Sequence, residues 1–280
     1  MPKRSAETVR LKTEKVHLGY GDFPIIEGLD LQIPQGKIGA IVGPNGCGKS
    51  TLLKALARLL PVQSGSILLD GQAISSLPTR SVAKIVGILP QSPSTPESIS
   101  VEELVARGRH PHHGMFGGWD HTDDTAVEEA LRLTGLSDLA TRAVDTLSGG
   151  QRQRAWIALS LAQHTDILLL DEPTTYLDMT YQLEVLDLLA ELNISRGTTI
   201  LMVLHDLNLA SRYADWILAL KDGGAAAVGS PSQVITEDFV RSVFRLDSRV
   251  TRDPDTGTPV VTPLAQHSLA ALRAKADGAA

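Results

Sequence analysis

The chain has 280 residues, enough for one large α/β domain or two small ones. Its 42% hydrophobic and 21% charged residues are ordinary for a globular protein. Its net charge of −6 argues against a general nucleic-acid coat, because phosphate neutralisation needs a basic surface. The one cysteine, Cys47, excludes an intramolecular disulfide, and no run approaches the ~20 apolar residues that span a bilayer.

Glu7, Arg10, Lys12, Glu14 and Lys15 stand where a signal peptide would need an apolar segment, so a cytoplasmic chain is expected, with any membrane spans supplied by other chains. Residues 1–8 are polar and expected to be disordered. Strand-like and turn-like segments alternate to about residue 36. Lys37–Val42 is a short apolar run rich in β-branched residues, followed at once by a Gly-rich loop. Ser50–Leu60 then predicts a helix stopped by Pro61. This strand–loop–helix order is the context that a phosphate loop requires.

Further apolar runs lie at Ile67–Leu69, Ile85–Leu89, Ile167–Leu170, Thr199–Leu204 and Trp216–Leu220. Several are apolar on both faces, as strands of a buried parallel sheet are. Helical patterns lie between them: in Tyr181–Asn193, Leu183, Leu186, Leu189 and Ala190 mark one face. The alternation predicts an α/β sandwich. Residues 92–160 differ. Pro93 and Pro96 open a loop, and Val101–Arg107, Thr125–Leu133 and Gly150–Ala162 then read as helices with no clear strand, which predicts an inserted helical subdomain. Ser232–Phe244 reads as a helix, and Asp255-Thr256-Gly257 as a turn between two short strands within Val250–Pro263. The Ala-rich tail, 264–280, is expected to be a loose helix or disordered.

The loop Gly43-Pro44-Asn45-Gly46-Cys47-Gly48-Lys49-Ser50-Thr51 has the Gly-x4-Gly-Lys-Ser spacing. Its glycines let backbone N–H groups turn inward around phosphates, and the following helix points its positive end at them. Lys49 adds a point charge, and the Ser50 hydroxyl can ligate Mg2+. Asp171 ends the apolar run Ile167–Leu170, where a carboxylate can orient the Mg2+ shell. Glu172 follows and is the better candidate to polarise an attacking water. Ser148 with the Gly149 and Gly150 amides at a helix start forms an anion site; by itself it reads equally well as a plain helix cap. His110, His112, His113 and His121, with Asp120, Asp123 and Asp124, could hold Zn2+ or Fe. That segment is rich in Gly and Pro and lacks i, i+4 ligand spacing, so a solvated loop at a partner interface is the preferred reading. Cys47 is read as a small tolerated residue rather than a redox switch.

Leu147-Ser148-Gly149-Gly150-Gln151, lying between the phosphate loop and Asp171-Glu172-Pro173, makes the chain resemble an ATP-binding-cassette (ABC) ATPase over about residues 9–260. The resemblance implies a P-loop, RecA-like α/β core with an N-terminal antiparallel β subdomain and a helical subdomain inserted at about 92–160. It implies ATP and Mg2+, with Ser50, Gln91 and Asp171 around the metal. Residues Gly43 to Thr51 would cradle ATP, while Ser148, Gly149, Gly150 and Gln151 would close over ATP held by a second copy in a head-to-tail dimer. Asp178 would contact the opposite protomer, and Tyr20 would stack on adenine. Gln91 would sense Mg2+ or the water and link to the transport partner, and His205 would contact the γ-phosphate. Alone, such a histidine is more often structural, and Tyr20 an ordinary strand aromatic.

Leu89-Pro90-Gln91, Val101–Arg109 and Asp171–Asp178 with Tyr176 look like the importer ATPases for ferric siderophores, haem and vitamin B12, and most like the siderophore group. The implied partners are a second copy, integral membrane permease subunits and, indirectly, an extracytoplasmic substrate-binding protein, with no nucleic acid. The implied location is the cytoplasmic face of the membrane. A haem or cobalamin importer is the alternative, and a soluble non-transport ABC ATPase the lower one. A DNA-repair cassette protein would carry a long coiled coil between phosphate loop and pentapeptide, where this chain has about 100 residues.

Overall fold

The computed structural model describes residues 9–91, 98–113, 118–175 and 177–264. Strand β1 (Val9–Tyr20) turns at Gly21-Asp22 into the antiparallel β2 (Phe23–Pro34). β3 (Ile38–Val42) then leaves for a different sheet, and α1 (Lys49–Leu56) follows it. β4 (Ser64–Leu69) returns to the free side of β1, and β5 (Gln72–Ala73) extends it, giving an antiparallel sheet of order β2-β1-β4-β5. The second sheet takes β3, β6 (Val86–Leu89), β7 (Ile167–Asp171), β8 (Thr199–Val203), β9 (Trp216–Lys221) and β10 (Gly224–Gly229) in the order β10-β9-β3-β8-β7-β6. Its strands are parallel except for β10, which is antiparallel to β9.

The apolar runs are apolar on both faces because both faces are covered. Ile41, Leu169, Leu201, Val203, Leu218 and Leu220 point to one side, against Leu52, Leu53 and Leu56 of α1 and Leu11, Leu18, Ile26 and Leu69 of the antiparallel sheet. Ala40, Val42, Leu168, Leu170, Ile200, Met202 and Ala219 point to the other, under the helices described next. Helix α1 is thus packed between the two sheets. Leu52, Leu53 and Leu56 are wholly buried, each a burial of about 1.5–3 kcal/mol.

A short helix α2 (Thr79–Ile85), not foreseen, delays β6 to Val86. Between β6 and β7 the described residues form α3 (Val101–Ala106), a 3-10 turn at Arg107–His112, α4 (His121–Leu133) and α5 (Gly149–Ala162). Each of the three α-helices opens with a reciprocal capping box: Ser100 with Glu103, Asp120 with Asp123, and Ser148 with Gln151. The chain then runs through α6 (Met179–Arg196), α7 (Leu207–Tyr213), α8 (Pro231–Val234) and α9 (Glu237–Phe244). It ends in an antiparallel hairpin of β11 (Ser248–Arg252) and β12 (Pro259–Pro263), turning through the predicted Asp255-Thr256-Gly257. Among the described residues no helix is long and apolar enough to cross a membrane.

Three expected elements change. The helix expected over Ser50–Leu60 ends at Leu56, because Arg58 turns left-handed (φ 61°) and the Leu59 and Leu60 amides bond back to the Lys54 carbonyl. The core face of α6 is Val185, Leu186, Leu189 and Leu192, with Leu183 and Ala190 only half-buried at its margins. The single helix expected over Ser232–Phe244 is two, because Ile235 and Thr236 are extended and the Thr236 hydroxyl caps α9 by accepting from the Phe239 amide. The expectations for residues 1–8, the Pro93/Pro96 loop, Tyr176 and the tail from 265 lie outside the described residues.

Candidate nucleotide-binding site

The C-terminal end of β3 meets the N-terminus of α1 through Gly43–Gly48, and the backbone there suits only glycine at two places. Gly43 has φ 150°, and a Cβ on it would come within 2.2 Å of the Leu220 carbonyl oxygen. Gly48, the N-cap of α1, has φ 102° and backs onto Ile25 and Ile26. Lys49 is buried, and its Nζ donates to the carbonyls of Gly43 (2.8 Å) and Pro44 (2.9 Å), which fixes an ammonium inside the curl of the loop. The free amides of the first turn of α1 open onto the same point.

β7 lies next but one to β3 in the sheet, beyond β8, and delivers two acids to this end. Asp171 is buried and accepts a hydrogen bond from the Ser50 hydroxyl at 2.9 Å. Burial raises its carboxyl above the usual range, and the Glu172 charge adds to that, against the pull of Ser50, Lys54 and Lys49. Glu172 leaves the strand in the left-handed region (φ 56°), a conformation found at functional turns. Its Oε1 lies 2.6 Å from His205 Nε2, and its Oε2 accepts from the Thr175 hydroxyl at 3.0 Å. Burial pushes the Glu172 carboxyl up, but the pull of His205 and Thr175, with a smaller one from Gln91, outweighs it and holds the group below the usual carboxylate range. Glu172 is therefore a tethered carboxylate, ionised at neutral pH.

A cleft of about 530 Å³ opens over these groups, lined by Ile25, Asn45, Gly46, Gly48, Lys49, Ser50, Thr51, Gln91, Glu172 and His205. Strands β3, β6, β7 and β8 thus bring together, from four places in the sequence, a glycine-rich turn of backbone amides, an ammonium, hydroxyl and amide side chains and an ionised carboxylate. Gly43, Pro44, Cys47 and Asp171 adjoin the cleft without lining it. Tyr20 is exposed at the β1–β2 turn and does not line it. Ile25, not foreseen in the cleft, comes from β2 and carries no local signal for it. Cys47 is half-buried, and burial lifts its thiol above the usual range against the pull of Lys49, which makes it a poor nucleophile.

The pentapeptide and Asp178 also lie away from this cleft, on a separate exposed edge. Ser148 and Gly149 are exposed at the start of α5, and Asp178 is exposed as the cap of α6, accepting from the Tyr181 amide at 3.0 Å. The two caps are neighbours: a Cβ on Gly150 would touch Leu177 at 3.4 Å.

In the histidine-rich segment His110, Asp120, His121 and Asp124 are exposed, as in a solvated stretch, but Arg109, His112, His113 and Asp123 are anchored. Arg109 is buried; its Nε donates to Asp123 at 2.8 Å and its terminal nitrogen to the Ala162 carbonyl at 2.9 Å. Burial pushes the Asp123 carboxyl up, but Arg109, the Asp120 amide and His113 bring it net below its usual range. His112 Nε2 is bonded to the Gln163 carbonyl oxygen at 2.8 Å, and His113 stacks on Trp119. The polar residues pair across helices, which a local reading could not foresee. Among the described residues no group of three or more His, Cys, Asp or Glu side chains is arranged to hold a metal.

Fold and cleft together define a P-loop nucleotide-binding ATPase. The ABC transporter family model matches residues 26–175, and the chain belongs to that family. It is 57% identical over 253 residues to the probable siderophore transport system ATP-binding protein YusV of Bacillus subtilis (strain 168), covering 90% of this chain and 92% of that one. It is 49% identical to the ferric enterobactin transport ATP-binding protein FepC of Escherichia coli (strain K12), covering 91% and 94%. Identity is 38% to a cobalamin import ATP-binding protein, BtuD, of Halobacterium salinarum, covering 88% of this chain and 62% of that one. Among solved structures, the dimeric bacterial ABC transporter cassette MJ0796 superposes with a TM-score of 0.71 at 28% identity, over 79% of this chain and 98% of that one. The chain is thus an ABC transporter ATPase, binding ATP and hydrolysing it to ADP and phosphate.

Proposed function

We propose that this ATPase energises import of iron(III)–siderophore complexes from the cytoplasmic face of the cell membrane. The ATPase half rests on one geometric observation: Glu172 is tethered by His205 and Thr175 at the mouth of the phosphate loop. The cargo half rests on the higher identity to the siderophore and ferric enterobactin relatives than to the cobalamin one.

In this reading the triphosphate lies along the amides of Gly43–Thr51, with Lys49 against its outer phosphates. Tyr20 stacks on the adenine. The oxygen set of Ser50, Asp171 and Gln91 suits a hard divalent cation, and Ser50 and Asp171 already meet at 2.9 Å. Mg2+ held there would neutralise phosphate charge. Glu172 takes the proton of a water that attacks the γ-phosphorus, the bond to the bridging oxygen breaks, and ADP leaves with the charge. His205 keeps the carboxylate aimed and faces the γ-phosphate.

The exposed Ser148–Gln151 cap and Asp178 form the complementary half, closing over ATP in a second copy placed head to tail. The helical segment that includes Val101–His113 docks a membrane permease, with Gln91 linking that surface to the nucleotide. An extracytoplasmic binding protein delivers the cargo to the permease. A cobalamin importer is the second reading, favoured by the 38% relative. The test is growth of a strain deleted for this chain under iron limitation with siderophores added. Failure to grow that is rescued by ferrous iron supports the proposal. Normal growth beside a defect in cobalamin uptake overturns the cargo and leaves the ATPase standing.

A further inference from the structure

His205 stands between two anchors. Before it, the Leu204 amide bonds to the Ile41 carbonyl of β3 at 3.2 Å. After it, Asp206 caps α7, accepting from the Asn208 amide at 2.7 Å and the Leu209 amide at 3.0 Å. Where His205 points therefore depends on where the first turn of α7 is held. That turn packs on the C-terminal hairpin, and the joint is specific. Asn208 Oδ1 accepts from the Val261 amide at 2.7 Å, and Asn208 Nδ2 donates to the Val261 carbonyl at 3.2 Å.

Val261 faces Val250 across the hairpin. Its N–H and C=O, both taken by Asn208, point away from β11, as in a non-hydrogen-bonded pair. The amide of Asn208 thus fills the place of a third strand's peptide group on the free edge of β12. On the far edge the Val250 amide donates to Glu237 of α9 at 3.1 Å, so the hairpin is gripped from both sides. Val261 is itself buried. An asparagine three residues past His205 is in this way locked to a chain segment more than fifty residues later.

We infer that Asn208 is a positioning residue for ATP hydrolysis, acting through the C-terminal hairpin to hold His205 against Glu172. The inference rests on the reading of His205 given above. Neither Asn208 nor Val261 lines the nucleotide cleft, so the effect belongs in the chemical step and not in ATP binding.

The test compares Asn208→Ala, Asn208→Asp and Val261→Pro in the full chain, with turnover expressed per nucleotide-binding site. Asn208→Ala should lower kcat about tenfold, within the reach of a sub-ångström misplacement, and leave KM for ATP within about twofold. Asn208→Asp keeps the acceptor of the shorter bond but sets an oxygen in place of the donor against the Val261 carbonyl, and should recover only part of that loss. Val261→Pro removes the donor from the other end, at a hairpin edge that tolerates proline, and should lower kcat in the same direction. Combined with Asn208→Ala it should add little, because both cut one joint. Should Asn208→Ala not fold, the other two carry the comparison, since each removes one bond of the pair. Unchanged kcat per site, or a loss carried by KM, overturns the inference. His205→Ala is the control: if it is impaired while the joint variants are normal, only the role of Asn208 fails. If His205→Ala itself turns over normally, the reading of His205 fails with it.

Discussion

Replacing Glu172 by glutamine separates the chemistry of the site from its construction. The side chain keeps its length and can still accept from Thr175 at the position now 3.0 Å away. Against His205 the carboxylate oxygen at 2.6 Å becomes a neutral amide group, so a charge-assisted contact is lost. The stability cost is small. His205 is half-exposed, and the cost of burying the Glu172 charge disappears with the charge, so the net change should stay under about 1 kcal/mol, or ~2–4 °C in Tm. The catalytic cost is large. Loss of a general base typically removes 10²–10⁴ in rate, about 2.7–5.4 kcal/mol of barrier. ATP affinity should be kept, because the loop amides and Lys49 are untouched. Steady-state hydrolysis, equilibrium binding of a fluorescent ATP analogue and size-exclusion chromatography read the three quantities. The variant should bind ATP, turn over at least ~100-fold more slowly and accumulate as an ATP-bound dimer. Hydrolysis within a few-fold of the parent would refute the assignment of the base, and lost ATP binding would refute the claim that the carboxylate serves chemistry alone.

The remaining expectations concern assembly, the helical segment and pH. Lys49→Ala should weaken ATP binding by its own chain, whereas Ser148→Arg should bind ATP as a monomer yet fail to dimerise; identical behaviour of the two would contradict the head-to-tail site. Asp123→Asn strands Arg109 in a buried place and should cost about 3–5 kcal/mol in urea unfolding, while the joint Arg109→Met, Asp123→Leu change should cost less than either single change. A loss below ~1 kcal/mol would show the pair to be better solvated than its burial indicates. Arg10 bridges Asp70 and Asp166 at 2.7 Å each, and its hydrogen bond to Asp70 holds that carboxyl below the usual 3.8. The stability from a depressed acid is present above the unfolded pKa and is lost as pH falls through the folded one. Arg10→Met should therefore be less stable than the parent at pH 6, by no more than ~1 kcal/mol for a partly exposed pair, with the gap closing below pH 3.8. A gap that widens in acid would contradict the ion-pair account.

What the sequence shows and what it hides divide along the range of the interactions. The phosphate loop, the Asp171-Glu172 pair and the strands of the parallel sheet are legible because spacing and local hydrophobicity carry them. The two-helix form of Ser232–Phe244 has a local signal as well: Ser230-Pro231 and Thr236-Glu237 are each helix starts. The end of α1 at Leu56 is not legible, because the left-handed turn of Arg58 is matched by hydrogen bonds from its guanidinium to the carbonyls of Leu77 and Ser75, which arrive from another element. Arg109 and Asp123 are fourteen residues apart, and nothing local distinguishes a buried pair from two solvated charges. Ile25 reaches the cleft only because the antiparallel sheet folds over α1. The Asn208–Val261 joint is of the same long-range kind.

Hydrolysis at Glu172 should power uptake of ferric siderophores. The most direct measurement is uptake of radioiron presented as a ferric siderophore in a strain lacking this chain, complemented with the parent or with Glu172→Gln at equal expression. The parent should restore uptake, and the variant should leave it at the level of the empty vector while the protein remains membrane-associated and ATP-bound. Restored uptake by Glu172→Gln, or unimpaired uptake in the deletion strain, would contradict it.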